Sequence, residues 1–346
     1  MALMRDLARG AGKMLRPHAK THKCSRLAAR QWATGGCVGI CAAKLAEAEV
    51  LLEAGIPEVL ITSPVVAAAR VARLVALAAR FPGLRVVVDA RENALALASA
   101  ARQAGITLEV LVDVDPEMGR TGVSFAAAAD FAQWVAVQDG LRLRGLQCYA
   151  GHLQHIENAE ERASRSRALL GRAAEVFRRL RASGLPIDLL TGAGTGTAEA
   201  DLGIPDLSDL QVGSYCVMDA EYLKLGGADG RRFDRFQPAL TLLSTVISAN
   251  HADFVTIDAG LKQLYFTPDA PPLPIGRPGT WRYEWFGDEH GRLFPPPGGA
   301  RPALGERVEL ILPHCDPTIN LHDLLWVTQG DTVVDAWEID LRGLGQ

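Results

Sequence analysis

The 346-residue sequence has no surplus of positive charge: 36 Lys and Arg stand against 40 Asp and Glu, for a formal charge of −4. A dedicated nucleic-acid binder would show a basic excess, so that class is set aside. No run approaches the roughly eighteen uncharged apolar residues that a membrane span needs. A secretory leader is not expected either, because Arg5, Asp6, Arg9 and Lys13 interrupt any apolar core near the start. Cysteine is sparse, with six residues (24, 37, 41, 148, 216 and 315) scattered mostly through apolar runs. That pattern argues against a disulfide framework and for reduced thiols in the cytoplasm. No repeat of solenoid or propeller period is present. What remains is an ordinary globular composition, 48% hydrophobic and 22% charged, long enough for about two domains.

The first two-thirds alternates short apolar runs with amphipathic stretches. Candidate strands lie at residues 14–20, 36–42, 58–65, 85–90, 108–115, 143–151, 189–196 and 210–219, and helical patterns at 43–54, 65–80, 93–103, 125–138 and 159–183. Buried parallel strands read as continuous apolar runs, and eight βα units within about 220 residues fit a (β/α)8 TIM barrel. A doubly wound open sheet also alternates this way, so the count of eight decides. After Phe236 the character changes. Residues 241–249, 254–257, 307–312, 324–328 and 332–338 are rich in β-branched residues and lack helical spacing, while 268–305 is dense in Pro and Gly and reads as loop and hairpin. The expected architecture is α/β: a barrel over 1–235, then a smaller, mostly antiparallel β domain over 236–346.

Several segments could carry chemistry. RPHAKTHK (16–23) ends the first barrel strand, where catalytic groups of such barrels project. A partly desolvated lysine there could form a Schiff base. On composition alone such a stretch is more often a solvated basic loop, yet two histidines and two lysines around a proline are odd for one. TGAGTGT (191–197) ends the seventh run, and Gly213 and Ser214 lie in the eighth. Glycines let backbone N–H groups approach a phosphate, and barrels often bind phosphate at these two loops. In DPEMGRTG (115–122), Arg120 either meets an anionic oxygen or decorates a surface turn. Tyr149 precedes two histidines in YAGHLQH (149–155), and either His152 or His155 could act as a base near neutral pH. His314 and Asp316 flank Cys315 after the strand at 307–312. Two residues apart on extended chain, they could point the same way and offer a divalent metal two ligands, with water and substrate supplying the rest. A turn capped by Asp before Pro317 is at least as common.

Together RPHAKTHK, VGICAAKLAEAE, DPEMGRTG, YAGHLQH, TGAGTGT, GSY and PHCDPTINLHD, spread over residues 16–323, resemble the D-threonine aldolase and D-serine dehydratase-like family of fold-type III pyridoxal phosphate enzymes. The resemblance implies an alanine-racemase-like barrel plus β domain, in agreement with the strand count. It implies that Lys20 holds pyridoxal 5'-phosphate, with Arg120 near its phenolic oxygen and Tyr149 beside the ring. Thr195, Gly196, Thr197, Gly213 and Ser214 would surround the phosphate, His155 would be the base, and His314 and Asp316 would hold the metal. Related D-serine dehydratases place Cys where Asp316 stands. A carboxylate suits Mn²⁺ or Mg²⁺ and a thiolate suits Zn²⁺, so this position favours aldolase.

The implied reaction is cleavage of D-threonine-like D-β-hydroxy-α-amino acids to glycine and an aldehyde by a cytoplasmic homodimer. Dehydration of D-serine or D-3-hydroxyaspartate, and non-catalytic binding of pyridoxal phosphate, are the alternatives. A racemase fits less well, since it needs no metal pair. One departure stands out: relatives usually carry an earlier strand reading roughly TPALVVDLDAL, expected to join the β domain, whereas this sequence begins inside the first helix. Basic residues concentrate at 16–23, beside the expected cofactor.

Overall fold

A computed structural model describes residues 1–227, 230 and 232–345. The chain divides into two compact units, Met1–Gly213 together with the segment beginning at Asp340, and Ser214–Ile339. These units fall differently from a division at residue 235, with the change at Gly213 and a return of the last residues to the first unit.

The first unit opens with α1 (Ala2–Gly10). Eight strands follow: β1 (Met14–Leu15), β2 (Ile40–Ala42), β3 (Val59–Ile61), β4 (Leu84–Val88), β5 (Leu108–Asp113), β6 (Leu141–Cys148), β7 (Leu189–Gly192) and β8 (Asp209–Leu210). They run parallel in the order β1-β8-β7-β6-β5-β4-β3-β2. Parallel bridges Leu15–Cys37 and His18–Cys41 close the sheet into the expected barrel, reinforced by Cys41 N–H donating to Pro17 O at 2.8 Å. Between the strands lie α2 (Ser25–Ala33), α3 (Leu45–Glu53), α4 (Ala68–Arg80), α5 (Arg91–Gln103), α6 (Phe125–Ala136), α7 (Ala159–Ala182) and the single turn α8 (Ala198–Asp201). The helices follow the sequence signals. In α4 the buried residues Val71, Leu74, Val75 and Ala78 recur at helical spacing. Asn158 caps α7 by accepting Glu161 N–H, with acids in the first turn and Arg179 and Arg181 in the last.

Side chains two apart on a strand point the same way, so the barrel interior is layered. Glu58, Arg85 and Glu109 form a charged layer at the strand starts. Cys41, Leu60, Val87 and Leu111, all fully buried, form an apolar layer above it. Thr62, Asp113, Gln147 and Gln211 form a polar layer below the loops at the strand ends, joined by hydrogen bonds from Gln147 Nε2 to Thr62 O and Asp113 Oδ1 and from Gln211 Nε2 to Gln147 Oε1.

The expected strand at 14–20 stops at Leu15. Residues beyond it turn because His18 accepts the Lys20 N–H and Ala19–Thr21 winds into a 3-10 turn.

The second unit holds α9 (Ala220–Leu223) and a six-stranded sheet of β9 (Thr241–Ser248), β10 (Val255–Ile257), β11 (Leu273–Pro274), β12 (Arg282–Trp285), β13 (Gly291–Phe294) and β14 (Arg307–Ile311). The order is β11-β14-β9-β10-β13-β12, and every pairing is antiparallel. The turn α10 (Cys315–Thr318) then leads to a separate hairpin, β15 (Leu324–Gln329) and β16 (Thr332–Glu338). Within 268–305 the β12–β13 hairpin carries the aromatic stretch, and Tyr283 donates its hydroxyl to Ala259 O at 2.6 Å. Val246, Val255, Ile257, Leu293, Val308 and Leu310 are its buried centre.

Candidate active site

Lys20 sits half-buried at the C-terminal end of β1, in a loop that the flanking residues hold from both sides. His18 Nδ1 accepts the Lys20 backbone N–H, so its Nε2–H must donate to Thr62 Oγ1, 3.1 Å away. His22 repeats the device: Nδ1 accepts Cys24 N–H and Nε2 meets Gln31 Oε1 at 3.1 Å. Each bond set fixes a neutral imidazole in one tautomer. Both histidines are thus supports of the loop.

The basic charge of this segment is largely neutralised, which corrects the expectation of a cationic cluster beside the cofactor. Arg16, 1% exposed, pairs with Asp209 at 3.2 Å and Glu58 at 2.6 Å at the barrel base. Lys23 pairs with buried Glu47, whose other oxygen accepts Ala43 N–H and Lys44 N–H. The chain's last segment returns here: Asp340 accepts Ser25 N–H at 2.8 Å and the Ser25 hydroxyl, and Leu341 N–H donates to Lys23 O. Asp340 thereby caps α2 from more than three hundred residues away, a contact no local pattern reveals.

Thr21 and Gly213 meet beside Lys20. A side chain at Gly213 would put its Cβ 2.4 Å from Thr21 Oγ1, so only glycine allows the approach. That hydroxyl is buried with no hydrogen-bond partner. An orphaned donor is costly in a dry interior and suits an anionic oxygen brought by a ligand. In the loop after β7, Thr195 and Thr197 are each 2% exposed. Thr197 Oγ1 accepts from Gln154 Nε2 at 3.1 Å and from Gly194 N–H at 3.3 Å, so its hydroxyl shapes the loop. Below it Asp201, fully buried in α8, has its pKa pushed up to about 7 by desolvation, against hydrogen bonds from Thr197 and Ser166.

Arg120 stands over the Tyr149 ring, 5.6 Å from guanidinium carbon to ring centroid. The turn carrying it is built by Asp115, whose Oδ1 accepts Met118 N–H and Gly119 N–H. Asp113 beneath is pushed up to about 6 by burial, against hydrogen bonds from Gln147 and Thr121. His155 follows the 3-10 turn Gly151–Leu153 and is exposed, as is His152, whose pKa is lowered by partial burial and by Arg165.

In the second unit, His314 is not on extended chain with Asp316 as expected. It caps α10, and Asp316 lies in that helix's first turn, because Leu312 and Pro313 carbonyls accept the Ala220 and Glu221 amides and end the strand. His314 Nδ1 bonds Asp219 Oδ2 at 3.0 Å, and Glu221 lies 3.4 Å away. Burial opposes a charge on the ring, but Asp219, Asp316 and Glu221 outweigh it and raise its pKa. A carboxylate holding Nδ1–H would leave Nε2 as the nitrogen offered to a metal, the usual outer-sphere arrangement for a histidine ligand. Asp219, fully buried, also accepts Cys315 N–H and Tyr222 N–H, and sequence reasoning missed it. Cys315 Sγ turns to Met218 O at 3.2 Å. Among the described residues no three metal-ligating side chains converge. One imidazole and one carboxylate fit a hard divalent ion completed by water and substrate, and do not fit a closed zinc site.

Backbone strain marks the same places. Among the described residues, the non-glycine positions with positive φ are Lys23 (48°), Glu117 (64°), Ala193 (62°) and Met218 (53°), each inside or just after a singled-out motif. Such conformations cost free energy and gather where a ligand site needs a set geometry.

The comparisons with known proteins agree with this layout. Residues 1–220 match the "Alanine racemase, N-terminal domain" family, and residues 239–328 the "Putative serine dehydratase domain" family. D-threonine aldolase from Arthrobacter sp. is 41% identical over 96% of this chain and 86% of its own length. 3-Hydroxy-D-aspartate aldolase from Paracoccus denitrificans (strain Pd 1222) is 33% identical over 99% of this chain and 88% of its own. The crystal structure of D-threonine aldolase from Filomicrobium marinum superposes with a TM-score of 0.91 at 37% identity, covering 100% of this chain and 92% of that one.

Proposed function

We propose a specific activity for this chain, which belongs to the D-threonine aldolase and D-serine dehydratase-like family of alanine-racemase-type enzymes: cleavage of D-threonine-like D-β-hydroxy-α-amino acids to glycine and an aldehyde. Lys20 would bind pyridoxal phosphate covalently, and Thr21, Thr195, Gly213, Ser214 and the Gly196–Thr197 turn would surround its phosphate. Bound there, the cofactor supplies an electron sink for the pair released when Cα–Cβ breaks. Arg120 and Tyr149 would orient the ring and exclude water from one side. His314 and Asp316 would hold a divalent ion, Mn²⁺ or Mg²⁺ before Zn²⁺, which supplies Lewis acidity toward the β-hydroxyl. His155 would take the hydroxyl proton as the carbonyl forms, and a proton delivered to Cα completes glycine.

The observation carrying this reading is the His314–Asp316 pair backed by Asp219: a carboxylate in place of a thiolate makes the donor set harder and suits Mn²⁺ or Mg²⁺, as the aldolase reading has it. The dehydratase family match over 239–328 favours a second reading, elimination of water from a D-hydroxy amino acid followed by hydrolysis of the resulting imine to a 2-oxo acid and ammonia. Incubation with D-threonine and Mn²⁺ distinguishes them. Glycine and acetaldehyde in equal amounts, stopped by a chelator and restored by Mn²⁺, are expected. 2-Oxobutanoate with ammonia would establish the dehydratase, and bound cofactor without turnover of any D-β-hydroxy amino acid would leave a binding protein. Residence in a reducing cytoplasm and assembly as a homodimer belong to the same proposal, supported by six free cysteines and by the family; sedimentation of the holoenzyme tests the second.

A further inference from the structure

We infer that Gln154 is a positioning residue that locks the cofactor-phosphate loop and the His155 turn into one piece. The inference rests on reading the 191–197 loop as a phosphate site. Gln154 is 2% exposed, and its amide is used on both ends. Oε1 accepts Gly196 N–H at 3.0 Å, while Nε2 donates to Thr197 Oγ1 and to Ala150 O, each at 3.1 Å. The amide fills the space a side chain at Gly194 would need, since a Cβ there would lie 2.4 Å from Oε1. Arg162, 4% exposed, clasps the same two segments from α7, donating to Gly196 O at 2.8 Å and to Ile156 O at 2.5 Å.

Two consequences follow for the site. The Gly196 amide is committed to Gln154, so it shapes the cradle without itself being an anion donor. His155 is the next residue, so any shift of Gln154 moves the proposed base and the phosphate loop together. A buried amide with both N–H donors and its oxygen engaged can turn only by breaking those bonds, which is how such a group transmits position.

The test compares pyridoxal phosphate with pyridoxal, which lacks only the phosphate, titrated into apoprotein of the wild type, Gln154→Glu, Gln154→Ala and Gly194→Ala. Gln154→Glu keeps the size and the acceptor for Gly196 but removes both donors in its ionised form; Gly194→Ala crowds the amide without altering it. Expected is a loss of ten-fold or more in affinity for pyridoxal phosphate, with pyridoxal affinity within about two-fold of wild type. At saturating cofactor, kcat for glycine release should stay at least ten-fold low with KM little changed. Equal losses for both ligands, or wild-type preference in any variant whose apoprotein melts like wild type, would overturn the inference. Should Gln154→Ala not fold, the other two variants decide. A wild type that binds neither ligand would instead overturn the functional reading on which this rests.

Discussion

The two ends of the barrel are built from the same strands and to opposite rules. At the strand starts, Arg16, Asp209, Glu58, Arg85, Glu109, Arg144 and Asp188 form a continuous chain of ion pairs, with Arg85–Glu109 and Arg144–Glu109 at 2.7 Å. Each charge has an opposite neighbour, and Glu109 is held below its ordinary range, where burial is outweighed by Arg85 and Arg144. At the strand ends, the loops carry strained backbone, close-approach glycines and an orphaned hydroxyl at Thr21. The base is fully satisfied and ligand-independent. The top is incomplete by itself, as a ligand site must be, which matches the placement of active sites and stability determinants in such barrels.

Removing Lys20, the proposed attachment point of the cofactor, should give the largest effect and leave the fold alone. Lys20→Ala is expected to lower glycine release from D-threonine by at least about 10³-fold, since covalent attachment is lost. Apoprotein melting should stay within a few degrees. A large drop in melting temperature would erase the contrast between the ends.

Arg16→Met attacks the base. It strands Asp209, fully buried, without its cation. Breaking a buried pair from one side costs about 3–5 kcal/mol, to be read by urea unfolding, while kcat of the folded fraction should stay within about three-fold. A tenfold fall in kcat at unchanged stability would reassign Arg16 to the site.

Asp201 sharpens the comparison through pH. Its folded pKa, about 7, lies above the unfolded value near 3.8, so the folded state binds the extra proton. The sign is therefore fixed: stability is full below about pH 4 and is lost as pH rises toward and through 7. Relative to Asp201→Asn, the wild type should lose about 4 kcal/mol between pH 4 and 8, measured by urea unfolding across that range. Parallel curves for the two proteins would contradict the assignment.

The smallest effect concerns the returning chain end. Asp340→Asn weakens the cap on Ser25 and should cost about 1 kcal/mol of apoprotein stability. No change would mean that the Ser25 amide finds water instead.

Much of this was legible in the sequence, for local reasons. The eight strands and the antiparallel character of the later part follow from apolar runs and β-branched composition. The motifs at 16–23, 115–122, 149–155 and 191–197 name the candidate residues of the first unit, and the motif at 313–323 names His314 and Asp316 of the second. Hidden were the relations made across the chain. Arg16 and Lys23 read as site cations because their partners Asp209 and Glu47 lie far away or on a neighbouring helix. Asp219 belongs to no visible pattern, yet it is the carboxylate that holds His314 Nδ1. Gln154 carries no signal of its own in the sequence, since only the fold brings Gly194 and Gly196 against it. The pairing expected from alternation on extended chain at His314 and Asp316 gave way to a helical turn, because Pro317 is well tolerated in a helix's first turn.

The most direct test of the central claim traps the cofactor on its lysine. Wild-type protein incubated with pyridoxal phosphate, reduced with borohydride and digested should carry one pyridoxyl group on the peptide containing Lys20. Lys23, three residues away and paired with Glu47, should be unmodified. Label on Lys23 or Lys44 in place of Lys20, or no label at all, would contradict the account.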